Sequence, residues 1–419
     1  MKMNSLKTDV LVIGAGPAGS VAAAMLHKKG LKVKVVEKQQ FPRFVIGESL
    51  LPRCMDAFEE ADLLDAIKAC GFQEKFGAKF MKDDAICDFN FSQGFTPGYS
   101  WTWQVTRADF DKALTDSLQQ RGIEIDFQTG VEKIEFAEDG YSKTTVVDKG
   151  GNSSVITARY IIDASGYGRV IPRMFDLDKP SGLDPRKAVF VHIQDNRRLH
   201  FEEPSRILII VYAPGTWVWV IPFSNGTTSL GFVGSMDYFE KLDGDINQQF
   251  KTLVEGNKYL RERFQDQELV FEPRKLEAWS IKTKKFHGNG FVLAGNATEF
   301  LDPVFSSGVM FAAVSGHLAA NLVVKKLQGA EVDWETEYTD VMQQGVDTFR
   351  SYVNGWYDGT LEKIFFHNQP NEEIKKKICS VLAGYVWDMN NPFVQNHSIS
   401  LRNVSKFIDF QIKMAELSR

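Results

Sequence analysis

Cysteine is scarce in this chain of 419 residues, and the four present, Cys54, Cys70, Cys87 and Cys379, are scattered. None forms a CxxC pair and no two of the seven histidines form an HxxxH pair, so no metal site is expected. Isolated thiols of this kind suit a reducing cytoplasm. An excess of basic residues is also missing. Lys and Arg number 49 against 54 Asp and Glu, a net charge of −5, which excludes the positive field that a nucleic-acid binder needs. Uninterrupted apolar runs are missing too. Val10–Leu26 is broken by Gly14, Gly16, Pro17 and Gly19, and Pro303–Val324 by Ser306, Ser307, Gly308, Ser315, Gly316 and His317. Both read as buried elements, not as a signal peptide or an integral membrane segment. Repeats and low-complexity linkers are absent, so two or three tightly packed domains are expected. What is abundant is phenylalanine, with 32 residues, which points to an aromatic-lined interior.

The strongest local pattern lies near the start. Thr8–Ile13 reads as a short apolar strand and Ser20–Lys29 as a helix, with Gly14-Ala15-Gly16-Pro17-Ala18-Gly19 between them. A second strand, Lys32–Val36, ends in Glu37. The first glycine of such a GxGxxG makes the tight turn, and the second lets backbone approach a pyrophosphate. The third lets the helix pack closely on the strand, and the helix N-terminus favours phosphate charge. An acid at the end of the second strand accepts hydrogen bonds from ribose hydroxyls. Taken alone, this unit does not separate FAD from NAD.

No second GxGxxG follows a strand. Arg107 opens a helix carrying Phe110, Leu114 and Leu118, and hairpin-like strands follow at roughly 123–162. Ile161–Gly166, the buried strand Gly290–Gly295 and a helix after Asp302-Pro303 complete the series. This order resembles that of the single-component FAD hydroxylases. The resemblance implies FAD, with Glu37 at the adenosine ribose, Arg107 on the cofactor chain and Gly295–Asn296 at the ribityl-phosphate. That family usually has Asp where this chain has Asn296.

Further segments resemble flavin-dependent halogenases. Phe41–Pro52 (FPRFVIGESLLP) matches their FPRxxIGESLLP loop. It is expected to lead into a helix with Met55, Phe58, Leu63, Leu64 and Ile67, capped by Ser49 and with Pro52 in its first turn. Trp217–Pro222 (WVWVIP) matches their WxWxIP strand, with Trp217, Trp219 and Ile221 on one face. As bare physics that face is equally a core or pocket wall. Gly71–Phe80 holds Lys75 at the spacing of the halogenases' essential lysine, with Lys79 as the alternative. Asp302–Val309 (DPVFSSGV) matches the phenol- and pyrrole-type branch, and its helix N-terminus should face the flavin ring.

The resemblance therefore implies an α/β protein. A Rossmann-type FAD domain (1–75, 100–179 and 276–330) is interleaved with a mostly antiparallel substrate domain (76–99 and 180–275), and 331–419 forms a helical C-terminal cap that adds no chemistry. Cofactor contacts fall on Gly14, Gly16, Ala18, Gly19, Glu37, Arg43, Gly47, Ser49, Arg107, Asn296, Pro303, Ser307, Gly308 and Val309. Catalytic roles fall on Lys75, Trp217, Trp219 and Glu48, with Lys75 in the substrate pocket. The implied activity is halogenation of an electron-rich aromatic, free or held on a carrier protein, using FAD, oxygen and a halide such as chloride, with electrons from a separate flavin reductase. An FAD monooxygenase, a geranylgeranyl-reductase-like enzyme and a flavin-binding protein without turnover remain as alternatives.

Overall fold

The computed structural model describes residues 5–417. Strand β1 (Ser5–Ile13), helix α1 (Pro17–Lys28) and strand β2 (Val33–Val36) open the chain as a parallel unit. The helix starts earlier than the sequence suggests because Pro17, with its φ already fixed, takes the first helical position. On the other side of β1 lies Ser153–Asp163, parallel to β1, and beyond it Phe291–Leu293, parallel to Ser153–Asp163. Glu124–Asp126 extends the sheet beyond β2. An antiparallel meander, Thr129–Phe136 and Ser142–Asp148, leads into Ser153–Asp163, where the Asp139-Gly140 and Gly150-Gly151-Asn152 turns place it.

Helix α1 is apolar on almost every side because it is buried between this sheet and the long helix Ser307–Leu327. The two helices cross so closely that a Cβ on Gly316 would collide with the Ala18 carbonyl. Ser307–Leu327 is the one helix among the described residues long and apolar enough to cross a membrane. Of its most apolar window, 72% is buried inside the protein, which is how a core helix behaves.

A second, seven-stranded sheet runs Arg274–Glu277, Arg186–Gln194, Thr227–Ser235, Thr216–Pro222, Leu208–Ala213, Gly77–Lys82, Ala85–Asn90. All its pairings are antiparallel except Leu208–Ala213 with Gly77–Lys82. Alternation along Thr216–Pro222 is strict. Trp217, Trp219 and Ile221 face the main core, while Val218 and Val220 face a separate cluster under the helices Ile246–Glu255 and Lys258–Phe264. The last helices, from Asp340–Tyr357 to His397–Leu417, pack Trp356 and Phe365 against Phe80.

Three local expectations fail at and after the end of the Phe41–Pro52 loop. The helix splits into Cys54–Glu60 and Leu64–Lys68, separated by Asp62 in the left-handed region at φ 55°. Ser49 does not cap it, and Pro52 precedes the first turn. Ser49 is instead bridged to Gln104, and its hydroxyl accepts a hydrogen bond from Lys75.

Candidate functional site

One elongated cavity of about 610 Å³ runs from the glycine turn to the inner face of the seven-stranded sheet. Its polar end is built by the turn after β1. Gly14 has φ +97°, and a Cβ there would collide with the Ala164 carbonyl, while one on Gly19 would collide with the Gly14 carbonyl. A Cβ on Gly16 would meet nothing nearer than the Arg43 guanidinium at 3.7 Å, so this glycine faces open space. The three glycines thus divide into a turn, an open approach and a helix–strand contact. Gly14, Gly16, Pro17 and Ala18 line the cavity; Gly19 lies behind it.

Glu37 is buried at the end of β2 and also lines the cavity. Its carboxylate accepts from the backbone N–H of Ala15 at 2.9 Å and of Gln39 at 2.8 Å. It therefore holds the glycine turn in shape, with lone pairs left over for a ligand.

A basic group stands beside this turn. Arg107 forms a fork onto fully buried Asp111, with Nε at 2.9 Å from Oδ1 and Nη2 at 3.0 Å from Oδ2. Arg43 Nη1 lies 3.0 Å from the same carboxylate, an ion pair by distance but misaligned for a hydrogen bond. Two guanidinium groups against one carboxylate leave this cluster with one positive charge, suited to a pyrophosphate. Asp111 was missed in the sequence, although its i,i+4 spacing from Arg107 on one helix is legible there.

One side wall of the cavity comes from loops that the parallel sheet brings together. Fully buried Asp163 accepts from the N–H groups of Ser165 and Ile171, fixing the Ala164–Gly168 turn, and burial raises its pKa. Arg169, 1% exposed, donates to the carbonyl oxygen of Asn296 at 2.8 Å and so presents the Gly295–Asn296 turn. Pro303, Gly308 and Val309 line the wall at the start of the long helix, whereas Ser307 does not. Ser306, overlooked in the sequence, lines it from the left-handed region at φ 58°.

The far end is apolar and aromatic. Trp217 and Trp219 line it, their rings 6.0 Å apart, joined by Phe44, Phe190, Ile209 and Trp279. Trp219 Nε1 donates to Ser229, and Trp217 Nε1 donates to the Tyr357 hydroxyl at 3.0 Å. Tyr357 in turn donates to Asp302 Oδ2 at 3.0 Å. Through Tyr357 the C-terminal region braces the Trp217 indole from behind the cavity wall. Burial raises the Asp302 carboxyl to about 6.

The loop of Gly47, Glu48 and Ser49 lines the cavity between its two ends. Lys75 does not. It is 3% exposed, and its Nζ donates to Ser49 Oγ at 2.8 Å and to the Leu50 carbonyl at 2.7 Å. The amine thus sits directly behind Ser49, away from the cavity surface where the sequence reading put it. Burial lowers its pKa to about 7, since an apolar enclosure disfavours the charged form. Lys79, the alternative, points elsewhere and pairs with Glu203.

These residues fit a flavin dinucleotide: an open Gly16, a pair of guanidinium groups in the wall beside it, a strand-end acid and a roomy apolar end. Comparison with known proteins agrees. A family model described as FAD binding domain matches residues 7–343. A crystal structure of a flavoprotein/dehydrogenase from Cytophaga hutchinsonii shares 54% identity, covering 97% of this chain and 99% of that one, with a TM-score of 0.95. A 1H-pyrrole-2-carbonyl-[peptidyl-carrier protein] brominase from Pseudoalteromonas luteoviolacea (strain 2ta16) is 29% identical over 387 residues, 91% of this chain and 92% of its own length. The structure of a flavin-dependent brominase is 25% identical with a TM-score of 0.82, covering 97% of this chain and all of that one (100%). The chain belongs to the FAD binding domain family of flavoproteins, and its relatives within that family include the flavin-dependent halogenases.

Proposed function

We propose that this flavoprotein halogenates an electron-rich aromatic ring of the phenol or pyrrole class. The observation that carries the reading is the continuity of one cavity, from a dinucleotide cradle to a chamber floored by Trp217 and Trp219. Gly14, Gly16, Ala18 and Glu37 would hold the adenosine and pyrophosphate, with Gly19 giving the helix its close seat. Arg43 and Arg107 would balance the phosphate charge. Gly47, Ser49, Asn296, Pro303, Gly308 and Val309 would border the ribityl chain and ring, with Ser307 supporting from behind. Bound and reduced, FAD supplies the electrons with which oxygen converts a halide such as chloride into an electrophilic halogen donor.

The chain's own part is confinement and positioning. The tryptophan floor excludes water and holds an aromatic substrate by its faces. Lys75, whose charge burial disfavours, acts through the hydrogen bond it donates to the Ser49 hydroxyl, whose own proton is then free to orient the halogen donor in the cavity. The relatives that act on pyrrole-2-carbonyl-[peptidyl-carrier protein] support a substrate delivered on a carrier protein. Reduced flavin would come from a separate reductase, and the cytoplasm is the compartment that suits its unpaired thiols.

The test combines purified protein, reduced FAD, oxygen, bromide and a phenol, with product read by mass spectrometry. Gain of bromine is expected. Gain of oxygen instead would make the protein a monooxygenase, and loss of hydrogen alone a dehydrogenase.

A further inference from the structure

Arg274 opens the edge strand Arg274–Glu277 of the second sheet and is exposed. In the antiparallel register it stands opposite Phe190, Phe190 opposite Gly231, and Gly231 opposite Trp219. Residues directly opposite one another share a face of the sheet, so these four form one row on the face that carries the chamber. Phe190 and Trp219 line the cavity, and their rings lie 6.0 Å apart because Gly231 between them has no side chain. At the outer end of the row the Arg274 guanidinium rests on two rings, 4.5 Å from the centroid of Phe44 and 4.4 Å from that of Phe271. Phe44 itself lines the cavity and stacks on Phe190, with centroids 6.0 Å apart and planes 6° from parallel. The row therefore leads from a cation at the sheet edge, past aromatic rings, to the buried indole.

Arg274 is held in place but not neutralised. Among the described residues no carboxylate pairs with it; Glu277, the acid of its own strand, pairs with Lys187 and Lys275 on the other face. The chamber has the opposite character, since none of the second-sheet residues that line the cavity is charged. An anionic group buried there would lose its hydration without compensation. Negative charge on a substrate therefore belongs at Arg274 while the ring goes to Trp219. Three strand spacings, about 14 Å, separate those two backbones. A carboxylate attached directly to the ring is too close to it to span that distance. An anion at the far end of a long acyl arm is not.

We propose that Arg274 binds the phosphate of a phosphopantetheine-type arm whose thioester carries the aromatic ring to Trp219. The inference rests on the reading above of a substrate held on a carrier protein, and it names the residue and the group that meet. The neutral amides of such an arm would lie along the aromatic row, and its phosphate oxygens would take two parallel N–H groups of the guanidinium fork. Arg43 and Arg107 are not placed to do this, because they stand beside the glycine turn and share Asp111.

Titrations on the FAD-loaded, oxidised full-length protein test this without turnover. The probes are the para-hydroxybenzoyl thioester of phosphopantetheine and the same thioester of pantetheine, which lacks the phosphate. Wild-type protein should bind the first about tenfold more tightly, the low end for hydrogen bonds to a charged group, and added salt should shrink the difference. Arg274→Gln should bring the first probe down to the second and leave the second unchanged, and Arg274→Lys should restore part of the gap. Equal binding of both probes by the wild type, or an equal loss of both in Arg274→Gln, overturns the assignment. A third probe, a phenol with a carboxylate at the end of a long alkyl chain, separates the sources of charge. If Arg274 favours it as strongly as the phosphate, the substrate is a free acid and the carrier arm is overturned. Melting curves and flavin titration of each variant report the fold independently. A protein that keeps the phosphate preference yet never brominates a phenol overturns the halogenation reading alone and leaves the role of Arg274 standing.

Discussion

Lys75 illustrates how enclosure alone changes what an amine does. Its ordinary pKa near 10.5 is drawn down to about 7 by burial. Between those values the unfolded chain binds a proton that the native one does not, so stability rises with pH through that window. Below it the cost of burying the charge is present in full. Lys75→Met, similar in length and uncharged, should remove this slope, and urea midpoints of both proteins across the window check it. Parallel curves would show an ordinary lysine. The same variant should still bind FAD yet lose ring bromination, while Lys79→Met, at the ion pair with Glu203, should keep both. Glu37 carries a second prediction at this scale. Glu37→Ala should weaken FAD binding by about 1–3 kcal/mol, as for hydrogen bonds to a charged group. Because its oxygens also hold Ala15 and Gln39, the apoprotein should melt lower as well. Flavin titration and apoprotein melting together separate the two effects, and an unchanged affinity would place the ribose elsewhere.

Among the elements, the Thr216–Pro222 strand depends on its neighbour for the shape of the cavity floor. Trp219 lies opposite Gly231 in the antiparallel register, and a Cβ on Gly231 would drive into the indole ring. The glycine is needed for space, since its φ is not in the left-handed region. Gly231→Ala should displace Trp219 and destabilise the protein by about 1–3 kcal/mol, the usual cost of overpacking. Near-ultraviolet circular dichroism should change while FAD affinity persists, since the dinucleotide cradle belongs to the other sheet. Loss of flavin affinity with an intact tryptophan spectrum would refute this division of labour between sheets.

At the scale of the whole molecule, three distant parts are tied by two hydrogen bonds. Trp217 in the second sheet donates to Tyr357 at the end of the Asp340–Tyr357 helix, which donates to Asp302 before the long core helix. Tyr357→Phe leaves an indole N–H and a carboxyl oxygen buried without this partner, so a loss of about 1–3 kcal/mol is expected in denaturant unfolding. Asp302 adds a pH signature. Burial raises it from an ordinary 3.8 to about 6, so the native state holds a proton that the unfolded chain has lost. Stability should fall as pH rises through that interval and level off above it. Asp302→Asn should lack that fall, and a persisting fall would assign it to another group.

The sequence by itself determined what local periodicity and glycine stereochemistry can specify. The strand–glycine turn–helix–strand unit, the inward face of Trp217, Trp219 and Ile221, and the helix of Arg107 all follow from spacing within short stretches of chain, the longest being Thr8 to Glu37. So does the Arg107–Asp111 pair, which was legible and overlooked. Only the tertiary structure decided which side chains meet across the chain. His192 reaches Glu48 over 144 residues and Tyr357 reaches Trp217 over 140. It also turned Ser49 from a helix cap into the partner of Lys75, and it placed Lys75 behind the cavity wall. The physical reason is the range of the forces. Backbone geometry and side-chain alternation act over a few residues, whereas burial, charge state and hydrogen-bond partnership depend on surfaces that exist only once the two sheets and the terminal helices have packed.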